Sequence, residues 1–291
     1  MTLIYIHSAE SINRGFERYF INSNKVRCRT TMRYSLVNIV WYSEKRKNIL
    51  LLLKEGPRDI DQMKTSLNET SRSIMPQIKK LLQKKLIVLD GVNYRLSEIG
   101  ELIVENMGPL LNTMRVIEEN KDFWVTRDLS VLPDNLFNRL GELGHYLLIE
   151  PDLNRMFELP KEFKDNALKS KKVSTFISYV HPQIPSLYLE LADRDVSLSL
   201  LMTKMAFQKL QSEYPLEMKV ISSSSNVEIF LCKEDIHLPT LAVTGWFTYL
   251  CFLNVEGRYD HRDIISFDES ALLWGTELID YYRSKSEAYS P

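Results

Sequence analysis

Hydrophobic and polar residues recur along residues 42–96 in a pattern typical of three short helices followed by a hairpin. The apolar residues of 42–56 fall at helical spacing, and a glycine followed by a proline ends that segment. A second helix is predicted from about Asp59, with an acidic first turn. Thr70 is a suitable N-cap for a third helix that runs to about Lys85.

The third helix is predicted to be amphipathic. Ile74, Ile78, Leu81 and Leu82 recur at helical spacing and form one apolar stripe. Pro76 stands at about the sixth helical position, where it deletes a backbone hydrogen bond. The sequence leaves two alternatives open: the helix starts later, or its first turn is tilted.

Two short β-prone runs, at residues 86–96, flank Asp90-Gly91, a dipeptide typical of hairpin turns. Three helices and a hairpin in this order indicate a winged helix-turn-helix, whose third helix enters the major groove of double-stranded DNA. The helix face opposite the apolar stripe and the hairpin supply the predicted DNA contacts: Ser71, Arg72, Ser73, Met75, Pro76, Gln77, Lys79, Lys80, Lys84, Asn93, Tyr94 and Arg95. The first residues of the helix are expected to meet bases, and its lysines are expected to meet phosphates.

The charge of the chain is divided unevenly along its length. Residues 32–96 hold 13 Lys and Arg against 6 Asp and Glu, whereas residues 97–291 hold 19 against 30. Because an acidic domain repels DNA, only the cationic segment is expected to face it. The alternative is a winged helix that binds another protein, joined to an α/β domain that binds a metabolite. A cationic helix face favours DNA, since phosphate contact requires it.

Composition narrows the class of protein further. The three cysteines, Cys28, Cys232 and Cys251, show no paired spacing, which favours a reducing cytoplasm over a disulfide scaffold. The longest apolar runs are too short to span a bilayer. The five histidines are scattered without metal-ligand spacing, so neither a metal nor a cofactor is expected.

Four segments are predicted. Residues 1–31 are a poorly organised arm or a mis-annotated start, with translation expected to begin at Met32; residues 32–96 form the DNA-binding domain. Residues 97–121 form a connector helix that Gly108-Pro109 should interrupt and kink. This helix either pairs with its symmetry mate in a homodimer or packs on its own C-terminal domain. Residues 122–291 form an α/β sensor or dimerisation domain.

The C-terminal segment alternates between β-prone and helical runs. Strands are predicted at 146–149, 173–179, 196–203, 227–232, 241–244 and 249–253. Helices are predicted at 134–143, 185–193, 204–214 and 269–285. The strand-helix-strand unit of 173–203 implies a right-handed crossover with parallel strands. A mixed α/β fold with helices on a central sheet follows.

Several segments carry a resemblance to a known family. They are SEKRKNILLLLKEGP (43–57), PQIKKL (76–81), LIEPDLNRMFELP (148–160), LELADRDVSLSLLMT (189–203), GRYDHRDIISFD (257–268) and WGTELIDYYR (274–283). The chain from residue 33 onward resembles archaeal winged-helix regulators of methanogens, which join an ArsR-like DNA-binding domain to a methanogenesis-regulator-type middle domain. This resemblance implies a homodimeric cytoplasmic transcription regulator.

The C-terminal domain also resembles half of the phospholipase-D-like fold that some archaeal sugar-responsive regulators use as a sensor. The catalytic motif of that fold is His-x-Lys-x-x-x-x-Asp-Gly, and its best match here is HLPTLAVTG at 237–245. His237 matches, but Pro239 and Thr244 replace the lysine and the aspartate. Without a cation or an orienting carboxylate the histidine cannot act on a phosphodiester, so no enzyme activity is expected.

A small-molecule effector is the remaining predicted partner. The segment GRYDHRD at 257–263 is dense in polar residues, and His181 follows a predicted parallel strand at its carboxyl end, where ligands bind in α/β sheets. The candidate effector residues are His181, Arg258, Tyr259, Asp260 and His261. The competing interpretation is a loop tied by its own Asp–Arg pairs. Cys232 and Cys251 are expected to be buried strand residues.

Overall fold

The computed structural model describes residues 36–151 and 158–290, which form a mixed α/β fold. The chain divides into two compact units, the first ending at Glu101 and the second beginning at Leu102. The expectations for residues 1–31 and for a start at Met32 lie outside the described residues. None of the helices within the described ranges is long and apolar enough to cross a membrane.

The first unit contains helices and one hairpin. Its elements are α1 (Leu36–Trp41), α2 (Glu44–Lys54), α3 (Ile60–Leu67), α4 (Ser71–Gln83), β1 (Ile87–Asp90) and β2 (Asn93–Leu96). The three predicted helices and the hairpin are confirmed, while α1 was not predicted. The helix α4 begins at Ser71 with Pro76 inside it, so the alternative of a later start is wrong.

Local hydrogen bonds fix the ends of these helices. The Ser43 side chain accepts from the Arg46 amide at the start of α2, and Asp59 forms a reciprocal capping box with Gln62 at the start of α3. Asn68 ends α3 in the left-handed conformation, with φ of 49°. The Ser43, Asp59 and Gln62 side chains supply partners that a free helix end lacks, and the Asn68 amide donates to carbonyls of the last turn of α3.

The hairpin turns one residue later than Asp90-Gly91 suggests. Asp90 and Asn93 are the last paired residues, so the two turn residues are Gly91 and Val92. Gly91 has φ of +62°, a conformation that glycine adopts without steric cost. Arg58 adds an antiparallel bridge to Tyr94 on the other side of β2.

The helix α5 (Glu98–Glu119) leads from the first unit into the second. It continues as an α-helix through Gly108-Pro109, so the predicted interruption there is wrong. Proline removes one amide donor from the ladder, and the remaining bonds of this 22-residue helix sustain it. Leu102 on this helix is 62% exposed.

The second unit is built on one eight-stranded mixed sheet. Its strands are β3 (Tyr146–Ile149), β4 (Lys172–Ile177), β5 (Ser197–Thr203), β6 (Val227–Cys232), β7 (Thr240–Thr244), β8 (Thr248–Cys251), β9 (Asp263–Ser266) and β10 (Ser286–Ala288). The strand order is β10-β6-β5-β4-β7-β8-β9-β3. The strands β4 and β5 pair in parallel, as the strand-helix-strand prediction required. The strands β5 and β6 also pair in parallel, and all other pairs are antiparallel.

Helices cover both faces of the sheet. One core includes residues of α8 (Lys161–Ala167), α9 (Ile184–Asp193), α10 (Lys204–Glu213) and α11 (Pro215–Ser223). The other includes residues of α6 (Lys121–Trp124), α7 (Asp134–Phe137) and α12 (Glu269–Ser284). Because helices cover both faces, the side chains on either face of the central strands are buried. This explains why these strands are apolar along nearly their whole length.

Some elements of the second unit differ from the predicted ones. Strands β9 and β10 and helices α6, α8 and α11 were not predicted, and the predicted helix 134–143 is instead α7 followed by a 3-10 turn, Leu140–Leu143. A Cβ on Gly141 would lie 2.5 Å from the Thr113 amide nitrogen, so the chain approaches α5 closely at this turn. The other predicted strands and helices are confirmed within a few residues.

We expect Gly144→Ala to destabilise the second unit more than Gly257→Ala does. Both glycines have positive φ, 61° and 74°, which costs a residue with a Cβ about 1–3 kcal/mol. A Cβ at Gly144 would also lie 2.0 Å from Asp268 Oδ2, whereas nothing lies within 4 Å at Gly257. Urea unfolding of both variants measures the difference, and equal losses would contradict the close contact.

Candidate nucleic-acid interface and ligand pocket

One face of α4 presents exposed cations. Arg72, Lys79 and Lys80 are exposed, as are Ser71 and Pro76. None of these three cations forms an ion pair with another residue in the part of the chain that the structure describes. The opposite face buries Ile74, Ile78 and Leu81, as the sequence predicts. Met75 and Lys84 are half-buried.

Two of the predicted base contacts, Ser73 and Gln77, accept hydrogen bonds from side chains of α2. Arg46 is buried, and its Nη1 donates to Gln77 Oε1 at 2.8 Å. The Lys45 ammonium donates to the Ser73 hydroxyl and also pairs with Glu69 at 2.8 Å. Gln77 and Ser73 therefore use part of their hydrogen-bonding capacity to join α4 to α2, and both remain half-buried.

The hairpin presents fewer contacts than the sequence suggests. Tyr94 is only 8% exposed, whereas its neighbours Asn93 and Arg95 point to the opposite face of the hairpin and are more accessible. This corrects its assignment as a DNA contact. Asn93 is half-buried, and Arg95 is exposed with its Nε 3.5 Å from Asp90 Oδ2. Of the three hairpin candidates, Arg95 alone is exposed.

The second unit contains a pocket of about 460 Å³. It lies where β4 and β8 end and β7 and β9 begin, and His181, Tyr259 and His261 all line it. The Tyr259 and His261 rings are 4.5 Å apart. Burial and the neighbouring His261 lower the pKa of His181, which favours its neutral form. The structure therefore brings together three of the five predicted effector residues.

Arg258 and Asp260 do not line this pocket. Arg258 is exposed, and its guanidinium lies 3.2 Å from Glu256. Asp260 accepts two hydrogen bonds from Arg127, a fully buried side chain, and further bonds from Arg262. Burial raises the pKa of Asp260, but the bonds and charges of these two arginines outweigh it and hold the pKa well below its ordinary value. Both are corrections: these residues tie the loop, and its alternate residues face the pocket.

A buried carboxyl in the pocket was missed by sequence reasoning. Asp263 begins β9, lines the pocket and is only 1% exposed. The Tyr249 hydroxyl donates to Asp263 Oδ2 at 2.6 Å, and the Tyr259 hydroxyl lies 2.9 Å from both carboxyl oxygens. Burial raises the pKa of Asp263 above its ordinary value, although hydrogen bonds from Tyr249, Cys251 and Tyr259 oppose this. The sequence signal that could have revealed it is an aspartate directly before the apolar pair Ile264 and Ile265.

We expect Asp263→Asn to gain stability relative to the native protein as pH rises. Because the folded-state pKa is raised, the carboxyl contributes most below its unfolded-state pKa, and that contribution is lost as pH rises through the folded-state pKa. Asparagine keeps an acceptor oxygen and cannot ionise. Melting temperatures of both proteins from pH 4 to 7 give the difference, and a difference that stays constant over this range would contradict this account.

The remaining residues considered in the sequence lie at the surface or in the core. His237 is exposed, 3.8 Å from Asp235, and Cys232 and Cys251 are buried as expected. Burial raises the pKa of the Cys251 thiol well above its ordinary value. In residues 36–151 and 158–290 no group of three or more His, Cys, Asp or Glu side chains could hold a metal ion.

Two solved structures are remotely similar to this chain. TrmBL2, described as an archaeal chromatin protein with a novel mode of DNA binding, has a TM-score of 0.40 at 11% identity, covering 87% of this chain and 97% of its own. Nuc, a phospholipase D family member from Salmonella typhimurium, has a TM-score of 0.35 at 7% identity, covering 50% of this chain and 100% of its own. Both TM-scores are below 0.5, too low to establish a shared fold.

Sequence comparison is more informative. The methanogenesis regulatory protein FilR1 of Methanothrix harundinacea (strain 6Ac) is 27% identical over 255 residues, covering 86% of this chain and 57% of that relative. The chain thus spans little more than half the length of the relative. Residues 25–115 match the family model of the N-terminal domain of FilR1, and residues 156–285 match that of its middle domain. Since the two models account for most of the chain in the same order, the chain belongs to the FilR1 family of methanogen regulatory proteins.

Proposed function

We propose that this protein is a DNA-binding transcription regulator that acts in the cytoplasm as a homodimer. The observation that carries the proposal is the exposed cationic face of α4, formed by Arg72, Lys79 and Lys80. In this proposal α2 to α4 and the hairpin form a winged helix-turn-helix of the ArsR-like type. Two copies of α4 would enter successive major grooves about one helical turn apart on a pseudo-palindromic site.

Charge and packing support DNA as the partner of the first unit. Residues 32–96 carry seven more cations than anions, since they hold 13 Lys and Arg against 6 Asp and Glu. The three cations of α4 lie opposite the stripe that packs into the core, so core packing does not occupy them. Phosphate contacts supply most of the affinity of such domains, and they need exposed cations.

The proposed dimer contact is along α5. Leu102, Leu110 and Met114 are exposed on this helix, and their spacing places them close to one face. A second copy of the helix would cover these side chains. Light scattering of the native chain and of a Leu110→Glu variant measures the mass, and a monomeric native protein would remove the dimer from the proposal.

The second unit, proposed to follow half of a phospholipase-D-like fold, would sense an effector in its pocket and signal through α5. The curated relative is named as a methanogenesis regulator, and we propose methanogenesis genes as the targets of this chain too. Ligand-saturated and ligand-free proteins with identical DNA affinity would exclude the sensing step.

The decisive experiment is a mobility-shift titration of the full chain with duplex fragments of candidate promoters over a series of salt concentrations. DNA binding predicts a linear loss of log affinity with log salt, with a slope of about 0.9 for each phosphate contacted. An equimolar uncharged polymer is the control. Protein that ignores duplexes even in dilute buffer would favour the alternative, a winged helix that binds another protein.

A further inference from the structure

The pocket of the second unit has the size and position of a small-molecule site. Its volume of about 460 Å³ lies within the range of about 300–1,000 Å³ that is usual for such sites. It opens at the carboxyl end of the parallel strand β4, beside Tyr179 and His181. Ligands of α/β sheets bind at this end of the strands.

Aromatic rings form much of the pocket wall. Tyr179, Tyr249, Tyr259 and Phe163 all line it. Tyr179 and Tyr259 have ring centroids 6.0 Å apart, and Phe163 stacks on Tyr249 with centroids 4.4 Å apart. Electron-rich ring faces attract cations, and tyrosine cages are a recurrent site for alkylated ammonium groups.

The polar groups at the base of the pocket offer acceptors. The Tyr249 and Tyr259 hydroxyls point their protons at Asp263, so each oxygen has only lone pairs left for a ligand. Burial raises the pKa of both phenols, which keeps those protons in place at neutral pH. Lone pairs and a carboxylate together favour a ligand that carries positive charge.

Within residues 36–151 and 158–290, Asp263 pairs with neither a lysine nor an arginine. Its neighbours are two phenols and a thiol, and no Lys or Arg forms an ion pair with it in the described part of the chain. Buried carboxylates are ordinarily paired with a cation, because an unpaired buried charge is costly. His261 lies on the pocket wall, where its electrostatic interaction lowers the pKa of Asp263. A cationic ligand would supply the missing counter-charge.

The mouth of the pocket carries negative charge, as the Asp263 carboxylate does. Among the described residues, Glu150, Glu158 and Glu162 line it and are exposed, against a single lysine, Lys161. A cleft lined by one sign of charge raises the local concentration of ligands of the opposite sign. Anionic ligands are disfavoured here for the same reason.

We propose that this pocket binds a small organic cation, with its alkylated ammonium group against the tyrosine rings and Asp263 as its counter-charge. The inference rests on the proposed function in that it names the class of effector. It nevertheless concerns binding to the second unit alone, which can be measured without DNA.

The test is calorimetric titration of the full chain with choline chloride and with 3,3-dimethylbutan-1-ol, a neutral isostere of choline. We expect saturable choline binding in the millimolar range or below, and at least about tenfold weaker binding of the alcohol. Equal affinities, or no heat from choline, would overturn the inference. Neither result touches the DNA-binding proposal, since the titration contains no DNA.

Variants of two residues sharpen the test. Tyr179 is 44% exposed, so Tyr179→Phe and Tyr179→Leu should both fold. The phenylalanine variant should retain its affinity for choline, whereas the affinity of the leucine variant should fall by about three- to thirtyfold. Asp263→Asn should lose at least about tenfold, whereas Asp195→Asn, an exposed acid outside the pocket, should lose nothing. Unchanged affinity in both Tyr179→Leu and Asp263→Asn would overturn the assignment of the pocket.

Discussion

Replacing Arg127 with methionine is expected to destabilise the second unit by about 1.5–3 kcal/mol, the usual net contribution of a hydrogen bond to a charged group. The Arg127 side chain has no exposed surface, and its Nη1 donates to Asp260 Oδ1 at 2.7 Å. The guanidinium also lies 4.6 Å from the Phe123 ring centroid. The variant therefore leaves the Asp260 carboxylate with Arg262 as its single arginine partner and removes a packed cation from an aromatic face.

Arg262→Met is the matched control. Arg262 binds the same carboxylate at 2.7 Å, but a quarter of its side chain is exposed and water can replace part of its interaction. We expect this variant to lose well under half of what Arg127→Met loses. Urea unfolding followed by far-UV circular dichroism measures both free energies, and equal losses would show that burial does not distinguish the two arginines.

The same carboxylate predicts a loss of stability in acid. Since its two arginines hold the pKa of Asp260 below the unfolded-state value, the stability that it contributes is complete above that value. This stability is lost as pH falls through the folded-state pKa. Compared with the native protein, Asp260→Asn should show a flatter decline of melting temperature below about pH 4, where aspartates titrate.

The loop at 257–263 shows how far sequence reasoning could go. Its polar density left two interpretations open, a ligand pocket and a loop tied by ion pairs, and the structure divides the residues between them. Tyr259 and His261 line the pocket, while Asp260 between them turns the other way to Arg127. Arg127 lies 133 residues away in sequence, so no local pattern could reveal it.

The first unit was more predictable because its signals are local. Caps, helical spacing and a glycine turn give the helices and the hairpin nearly residue by residue. Tertiary partners decide the rest: Arg46 reaches Gln77 across 31 residues, and this contact separates structural from exposed residues on one polar face. Strand β9 was missed because its four buried residues begin with an aspartate, which reads as a turn until its phenol partners are known.

The exposed cations of α4 are expected to divide into two kinds. Lys79→Ala with Lys80→Ala should weaken binding to every duplex and lower the salt slope by about 2, because two phosphate contacts are lost. Lys54→Ala, an exposed cation of α2, is the control and should change neither quantity. Fluorescence anisotropy over a salt series measures both, and a double variant with native slope would place these lysines away from the phosphates.

Arg72→Ala should instead relax sequence preference. Arg72 is exposed at the second position of α4, and an arginine that binds a guanine edge contributes about 1–3 kcal/mol of discrimination, or about five- to 150-fold. The affinity for the best promoter fragment should fall by that factor while affinity for unrelated DNA changes little. Gln77→Ala should behave differently, because it removes the acceptor of the buried Arg46 Nη1 and should lower stability by about 1–3 kcal/mol. If Gln77→Ala altered preference without lowering stability, the contact between α2 and α4 would not be its main role.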